Sequence, residues 1–133
     1  MSEENVEIAK RATDALNQRD VDAYMEFTTS DFEFFPALAG AVEGGGFRGR
    51  EGMEAYFEAS KDTWEELRLI AEEIRDLGDR VLWLGRAVGR GSGSGVSVTA
   101  PVGAIHNFRD GKISRIRAYL DHGEALRAVG PAE

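Results

Sequence analysis

The chain is most constrained by one dipeptide, Asp110-Gly111, set between two segments whose residues alternate between apolar and polar. Asp-Gly in that setting predicts a two-residue hairpin turn, because both central positions need positive φ, which aspartate tolerates and glycine adopts freely. With period two, Ala104, His106 and Phe108 share one face of the first arm, and Ile116, Ala118 and Leu120 share one face of the second. The chain then reads Asp121-His122-Gly123-Glu124, the spacing of a capping box, and a short helix should run to Gly130-Pro131. On that reading Asp121 and Glu124 are helix-capping groups rather than a catalytic pair. His122 falls at the first helical position and is expected to be exposed.

The rest of the chain alternates less regularly. Ser2 can cap a helix with Glu3 and Glu4 in its first turn, where the positive end of the dipole favours acids. Val6, Ala9, Thr13 and Leu16 form its apolar stripe, widened by Ile8, Ala12 and Ala15. Asp20 is the expected cap of a second, shorter helix carrying Val21, Tyr24, Met25 and Phe27. Phe32 to Phe35 reads as a strand ended by Pro36. Residues 37–49 are small and glycine-rich and read as a loop. A third helix begins near Arg50, with Met53, Tyr56, Phe57, Ser60 and Trp64 on one face. Beyond it Leu67–Asp76, Arg80–Gly89, Val96–Phe108 and Lys112–Leu120 read as four strands with short connections, hence antiparallel neighbours.

The order is helix, helix, strand, helix, four-strand meander, helix, which is an α+β arrangement. At 133 residues the chain is expected to form one domain spanning 1–133. A sheet with its helices on one side should curve around them and enclose a core. The helix-facing side would carry Val81, Trp83 and Ala87, then Val98, Val102, Ala104, His106 and Phe108, then Ile116, Ala118 and Leu120. The opposite side would carry Leu82, Leu84, Val88, Ile105, Arg115, Arg117 and Tyr119, a mixture that suits a subunit interface. One β-bulge would reverse every face beyond it.

Composition excludes several classes of function. A formal charge of −8 disfavours nucleic acid and anionic membrane surfaces. With no cysteine, disulfides, thiol catalysis and thiolate metal sites are absent. Two histidines without cysteine give poor metal-ligand spacing, so no metal and no cofactor is expected. Gly89, Gly91, Gly93 and Gly95 alternate between strands and do not make a dinucleotide fingerprint. No serine sits at a nucleophile turn. The Glu65-Glu66 and Glu72-Glu73 pairs are expected to be solvated. No long apolar run and no signal-like start is present, so the expected setting is the cytoplasm.

The interesting ionisable group is His106, aimed inward among apolar residues. Burial would lower its pKa and keep the imidazole neutral, as a polar contact, a general base, or a core histidine with a bonded ring. Tyr24 and Tyr56 lie on apolar stripes and could turn their hydroxyls into the same interior. Trp83 would wall a cavity or fill the core.

Four segments carry a family resemblance: ALNQRDVDAYMEF, DFEFF, FRGREGMEAYFE and FRDGKISRIRAYLDHGEALRAVG. They resemble the SnoaL-like branch of the nuclear-transport-factor-2-like superfamily, and the closing segment is the most specific. The resemblance implies a cone-like fold in which a curved antiparallel sheet wraps the N-terminal helices around an apolar pocket. It also implies a homodimer paired through the outer sheet face. The superfamily includes ketosteroid isomerases, epoxide hydrolases, dehydratases, polyketide cyclases and members without known chemistry, so fold alone does not fix function. The isomerase pattern implies a tyrosine at Ala12, a base carboxylate at Phe35 or Pro36 and a protonated acid at Ala104. The hydrolase pattern implies a carboxylate at Ala118. None is retained, and base and oxyanion hole go with them.

Three readings follow. In the first, the protein binds a small apolar or polycyclic molecule, without required catalysis, in a pocket walled by Tyr24, Tyr56, Trp83, His106, Phe108, Ile116, Ala118 and Leu120. In the second, it is an isomerase or cyclase acting on a polycyclic or terpenoid-like substrate, with His106 as general base. In the third, it is a dimeric interaction domain with a filled interior. The first two require a cavity touching His106, typically about 300 Å³ or more.

Overall fold

A computed structural model describes residues 2–36 and 46–130. The elements are α1 (Ser2–Gln18), α2 (Val21–Met25), β1 (Thr28–Phe35), β2 (Phe47–Arg48), α3 (Gly49–Thr63), β3 (Trp64–Asp76), β4 (Arg80–Gly91), β5 (Ser97–Arg109), β6 (Lys112–Tyr119) and α4 (His122–Val129). This is the expected order with one addition. Phe47–Arg48, expected in a loop, forms a short strand whose Phe47 pairs with Phe34 and Arg48 with Glu33. The rest of the glycine-rich loop, residues 37–45, lies outside the described residues, as do Pro131 and the side chain of Ser2.

The six strands make one curved, unclosed sheet in the order β2-β1-β6-β5-β4-β3. The β3–β6 meander is antiparallel throughout. One pairing departs from the antiparallel expectation: β1 runs parallel to β6, Phe34 beside Ile116. The crossover through β2, α3 and the meander makes that direction possible, since strands so joined need no hairpin. The Asp110-Gly111 turn has φ of 54° and 79°, as the dipeptide predicts.

Helices α1, α2 and α3 lie on the concave side. Ala9, Ala12 and Ala15 bring α1 close to the sheet, and all three are buried. Asn17 fastens the end of α1 to the edge strand β3. Its side-chain amide donates to the Leu69 carbonyl at 2.9 Å and accepts from the Leu69 N–H at 2.8 Å. Asp20 caps α2 by accepting from the Ala23 N–H at 3.1 Å. On α3, Met53, Tyr56, Phe57 and Ser60 are buried, as their spacing requires. Trp64, expected to continue that stripe, is instead the first residue of β3.

Two bulges decide which side chains face inward. Between Asn107 and Phe108 the β5–β6 register shifts, so Ile113, on the outer face by simple alternation, becomes fully buried in the main core. A second shift between Ala71 and Glu73 lets Leu67, Leu69 and, beyond it, Ile74 all pack against that core.

The convex face differs from expectation. Leu82, Leu84 and Ile105 are buried within the chain, in a second small core with Ala125, Leu126 and Val129 of α4. They are therefore covered by α4 rather than left for a subunit interface. The approach is close because Gly103 lies beneath: a Cβ there would stand 2.6 Å from that of Ala125. Asp121 caps α4 by accepting from the Gly123 N–H at 2.7 Å. Glu124 stays exposed, so the reciprocal half of the capping box is not formed among the described residues. His122 is half-buried, not exposed, with Nε2 2.7 Å from the Gly85 carbonyl oxygen. No helix among the described residues is long and apolar enough to cross a membrane.

Candidate functional site

The concave face and its helices enclose a cavity floored by aromatic rings. Tyr24 meets Phe32 edge-on at 5.7 Å, and Phe34 meets Tyr56 edge-on at 4.9 Å. Around them, α1 supplies Ala12, Thr13 and Leu16, and Pro36 follows β1. The sheet supplies Leu67 and Leu69 from β3, Trp83 from β4, Val102, Ala104 and His106 from β5, and Ile116 and Ala118 from β6. The centre of a water-sized sphere can move through about 60 Å³ of it. At roughly 10–15 Å³ for one water, that is room for a few waters or a small ring. It is well below the roughly 300 Å³ of a typical ligand pocket. A ligand larger than a small ring therefore requires flexible wall residues such as Leu16, Leu67 and Leu69 to move.

Of the residues expected at the pocket, Tyr24, Tyr56, Trp83, His106, Ile116 and Ala118 line it together. Two do not. Phe108 packs half-buried against the core beside the β5–β6 bulge. Leu120 lies beyond the end of β6, 46% exposed, where the chain turns towards α4 and period two no longer applies. Val98, expected on the inner face, likewise sits 37% exposed. Leu67 and Leu69 were not singled out from sequence as wall residues, although their period-two spacing at the start of β3 carried the signal.

The cavity is neutral. No Asp, Glu, Lys or Arg lines it among the described residues. His106 is buried, and burial lowers its pKa from 6.5 to about 4, with a hydrogen bond to the Val81 backbone acting in the opposite direction. Burial likewise raises Tyr56 to about 12 and Tyr24 further, so both phenols keep their protons. Among the described residues, three buried polar atoms of wall residues have no hydrogen-bond partner: the Tyr24 hydroxyl, Trp83 Nε1 and His106 Nδ1. Trp64 Nε1 is a fourth such atom, but Trp64 is not a wall residue. Thr13 differs, since its hydroxyl donates to the Ala9 carbonyl at 2.9 Å. No group of three or more metal-ligating side chains occurs among the described residues.

The family resemblance implies catalytic groups at Ala12, at Phe35 or Pro36, at Ala104 and at Ala118. Ala12, Pro36, Ala104 and Ala118 all line the cavity. Of the two candidates at the end of β1, Pro36 lines the cavity. Phe35 instead lies beneath Arg115 and Arg117, each guanidinium 4.9 Å from its ring centre. All four of these wall positions hold apolar side chains.

A family model described as the SnoaL-like domain matches residues 9–116. Among curated proteins none matches the sequence. Several solved structures share the fold. An NTF2-like protein of unknown function from Burkholderia pseudomallei has a TM-score of 0.78 at 20% identity, with 96% of this chain and 98% of that one covered. TerC, co-crystallised with polyporic acid, has a TM-score of 0.78 at 22% identity over 96% and 99% of the two chains. A putative SnoaL-like polyketide cyclase from Jannaschia sp. has a TM-score of 0.77 at 22% identity over 98% and 95%. With the model covering most of its length, this chain belongs to the SnoaL-like domain family.

Proposed function

We propose that this protein binds a small, mostly apolar molecule in the cavity between its helices and the concave sheet face. One observation carries the reading: three residues of an uncharged, largely apolar wall each hold a buried polar atom without a hydrogen-bond partner among the described residues. Such atoms cost about 1–3 kcal/mol each when nothing bonds them, so a fold keeps them where something else does. Fold neighbours hold small molecules: TerC was crystallised with polyporic acid, and a Catenulispora acidiphila protein with trimethylamine. The general-base reading is weaker. A histidine held near 4 is neutral at pH 7, but its affinity for a proton is far below that of an efficient base there. A dimer formed through the part of the convex face that α4 leaves open, and a cytoplasmic setting, complete the proposal.

Native mass spectrometry of protein purified without added ligand tests the central claim. A retained small molecule is expected, and filling the cavity with Ala104→Phe or Ala118→Phe should weaken its binding at least about ten-fold, the effect of losing roughly 1.4 kcal/mol. Binding undiminished in both folded variants would place the ligand elsewhere.

A further inference from the structure

We infer that the cavity selects an uncharged molecule bearing a carbonyl or hydroxyl oxygen, held by the Tyr24 hydroxyl and Trp83 Nε1 as donors, with His106 Nδ1 as a further polar contact. This rests on the reading of the cavity as a ligand site and adds the chemistry of what enters it.

Each part of the selection has a structural cause. An ionised ligand would lose its hydration inside a wall without a single Asp, Glu, Lys or Arg among the described residues. Nothing there neutralises it, and the loss exceeds what one or two neutral hydrogen bonds return. The available bonds are mostly donors. Indole Nε1 can only donate, and a phenol that keeps its proton donates readily. Thr13 adds no donor, because its hydroxyl proton is already committed to the Ala9 carbonyl. A carbonyl oxygen, with two lone pairs, suits either donor. His106 is neutral, and its Nδ1 has no partner among the described residues, so the ring offers the ligand a third polar contact. Tyr24, Trp83 and His106 are 1%, 2% and 4% exposed, so bulk water does not satisfy them. The selection sets this chain apart from its trimethylamine-bound neighbour, whose ligand is a base that is charged at neutral pH.

Five six-membered-ring probes differing in one substituent test this: cyclohexanone, cyclohexanol, cyclohexane, cyclohexanecarboxylate and cyclohexylammonium. Each is titrated at pH 7 into the ¹⁵N-labelled protein while the Trp83 indole N–H resonance is followed, assigned by its loss in Trp83→Phe. Cyclohexanone and cyclohexanol should bind at least about three- to ten-fold more tightly than cyclohexane, the worth of one net hydrogen bond. The carboxylate and the ammonium should bind most weakly. Tyr24→Phe, which removes a hydroxyl without a partner among the described residues, should cost cyclohexanone about three- to ten-fold and leave cyclohexane unchanged. A charged probe binding as tightly as cyclohexanone, or cyclohexane equalling it, overturns the inference while leaving a ligand cavity in place. If no probe binds, cyclohexane included, the cavity is not a ligand site and both proposals fall. The ranking on the unaltered protein needs no variant, so a Tyr24→Phe chain that failed to fold would not protect the inference.

Discussion

At the scale of single residues, His106 links burial to pH. Its pKa falls from 6.5 to about 4 because the interior disfavours the imidazolium. The folded form therefore binds a proton less readily than the unfolded form. The stability linked to this is complete above pH 6.5 and is lost as pH falls towards about 4. Over that window the loss amounts to roughly 3 kcal/mol, since one pKa unit is worth about 1.4 kcal/mol. Exposed carboxylates such as Asp31, held below the usual range by Arg109 and Thr29, act in the same direction but are screened by solvent. Comparing urea unfolding of the protein with that of His106→Gln from pH 7 to 4 isolates the histidine. The stability advantage of the parent should shrink by roughly 3 kcal/mol. Parallel curves, or an imidazole resonance of His106 that titrates near 6.5, would show that the ring is not desolvated.

At the scale of elements, two contacts illustrate how small residues place large ones. Asp110-Gly111 closes β5 on β6, and the register shift between Asn107 and Phe108 then sets His106 opposite Ile116. Gly103 lets α4 cross β5 at a distance that excludes even one further methyl group. Gly103→Val should destabilise the fold by about 1–3 kcal/mol, the usual range for overpacking. It should also raise hydrogen exchange in α4 before the meander is affected. Ala125→Gly in the same chain should restore part of the loss. A Gly103→Val chain with unchanged α4 protection would mean that the helix is seated by its apolar side chains alone. The glutamate pairs of β3 show a milder departure from expectation. They are exposed, yet Glu65 and Glu66 pair with Arg90, and Glu72 with Arg86, across the β3–β4 ladder. Each such pair is worth at most about 1 kcal/mol.

For the whole molecule, α4 divides the convex face into a covered part and an open part. Over Leu82, Leu84 and Ile105 the face is closed. Beside it, Arg115 and Arg117 flank Phe35 in an exposed cluster, on a chain whose net charge is −8. A second copy offers many carboxylates to such a cluster, and a stable dimer needs about 800 Å² from each partner. Sedimentation equilibrium should give a dimer, and Arg117→Glu should shift it towards monomer by at least about ten-fold in dissociation constant. A monomer at high concentration would end the interface role proposed for Arg115 and Arg117; Tyr119, expected beside them, packs instead against the core under α4.

The sequence by itself determined the meander, the hairpin turn, the helix stripes and the inward aim of Tyr24, Tyr56, Trp83 and His106, because each follows from a local period or from turn chemistry. It also located four apolar residues at Ala12, Pro36 (as one of two candidates), Ala104 and Ala118. Only the tertiary structure decided what depends on distant partners. The bulge that turns Ile113 inward is a register event between two strands, and no single strand's pattern contains it. The burial of Leu82, Leu84 and Ile105 depends on a helix more than fifteen residues further along the chain. The exclusion of Phe108 and Leu120 from the wall follows from where the ladder shifts and where it ends. The cavity's size is the small difference between a curved sheet and the helices that nearly fill it. Periodicity says which way a side chain points, but not how much space is left when all of them have arrived.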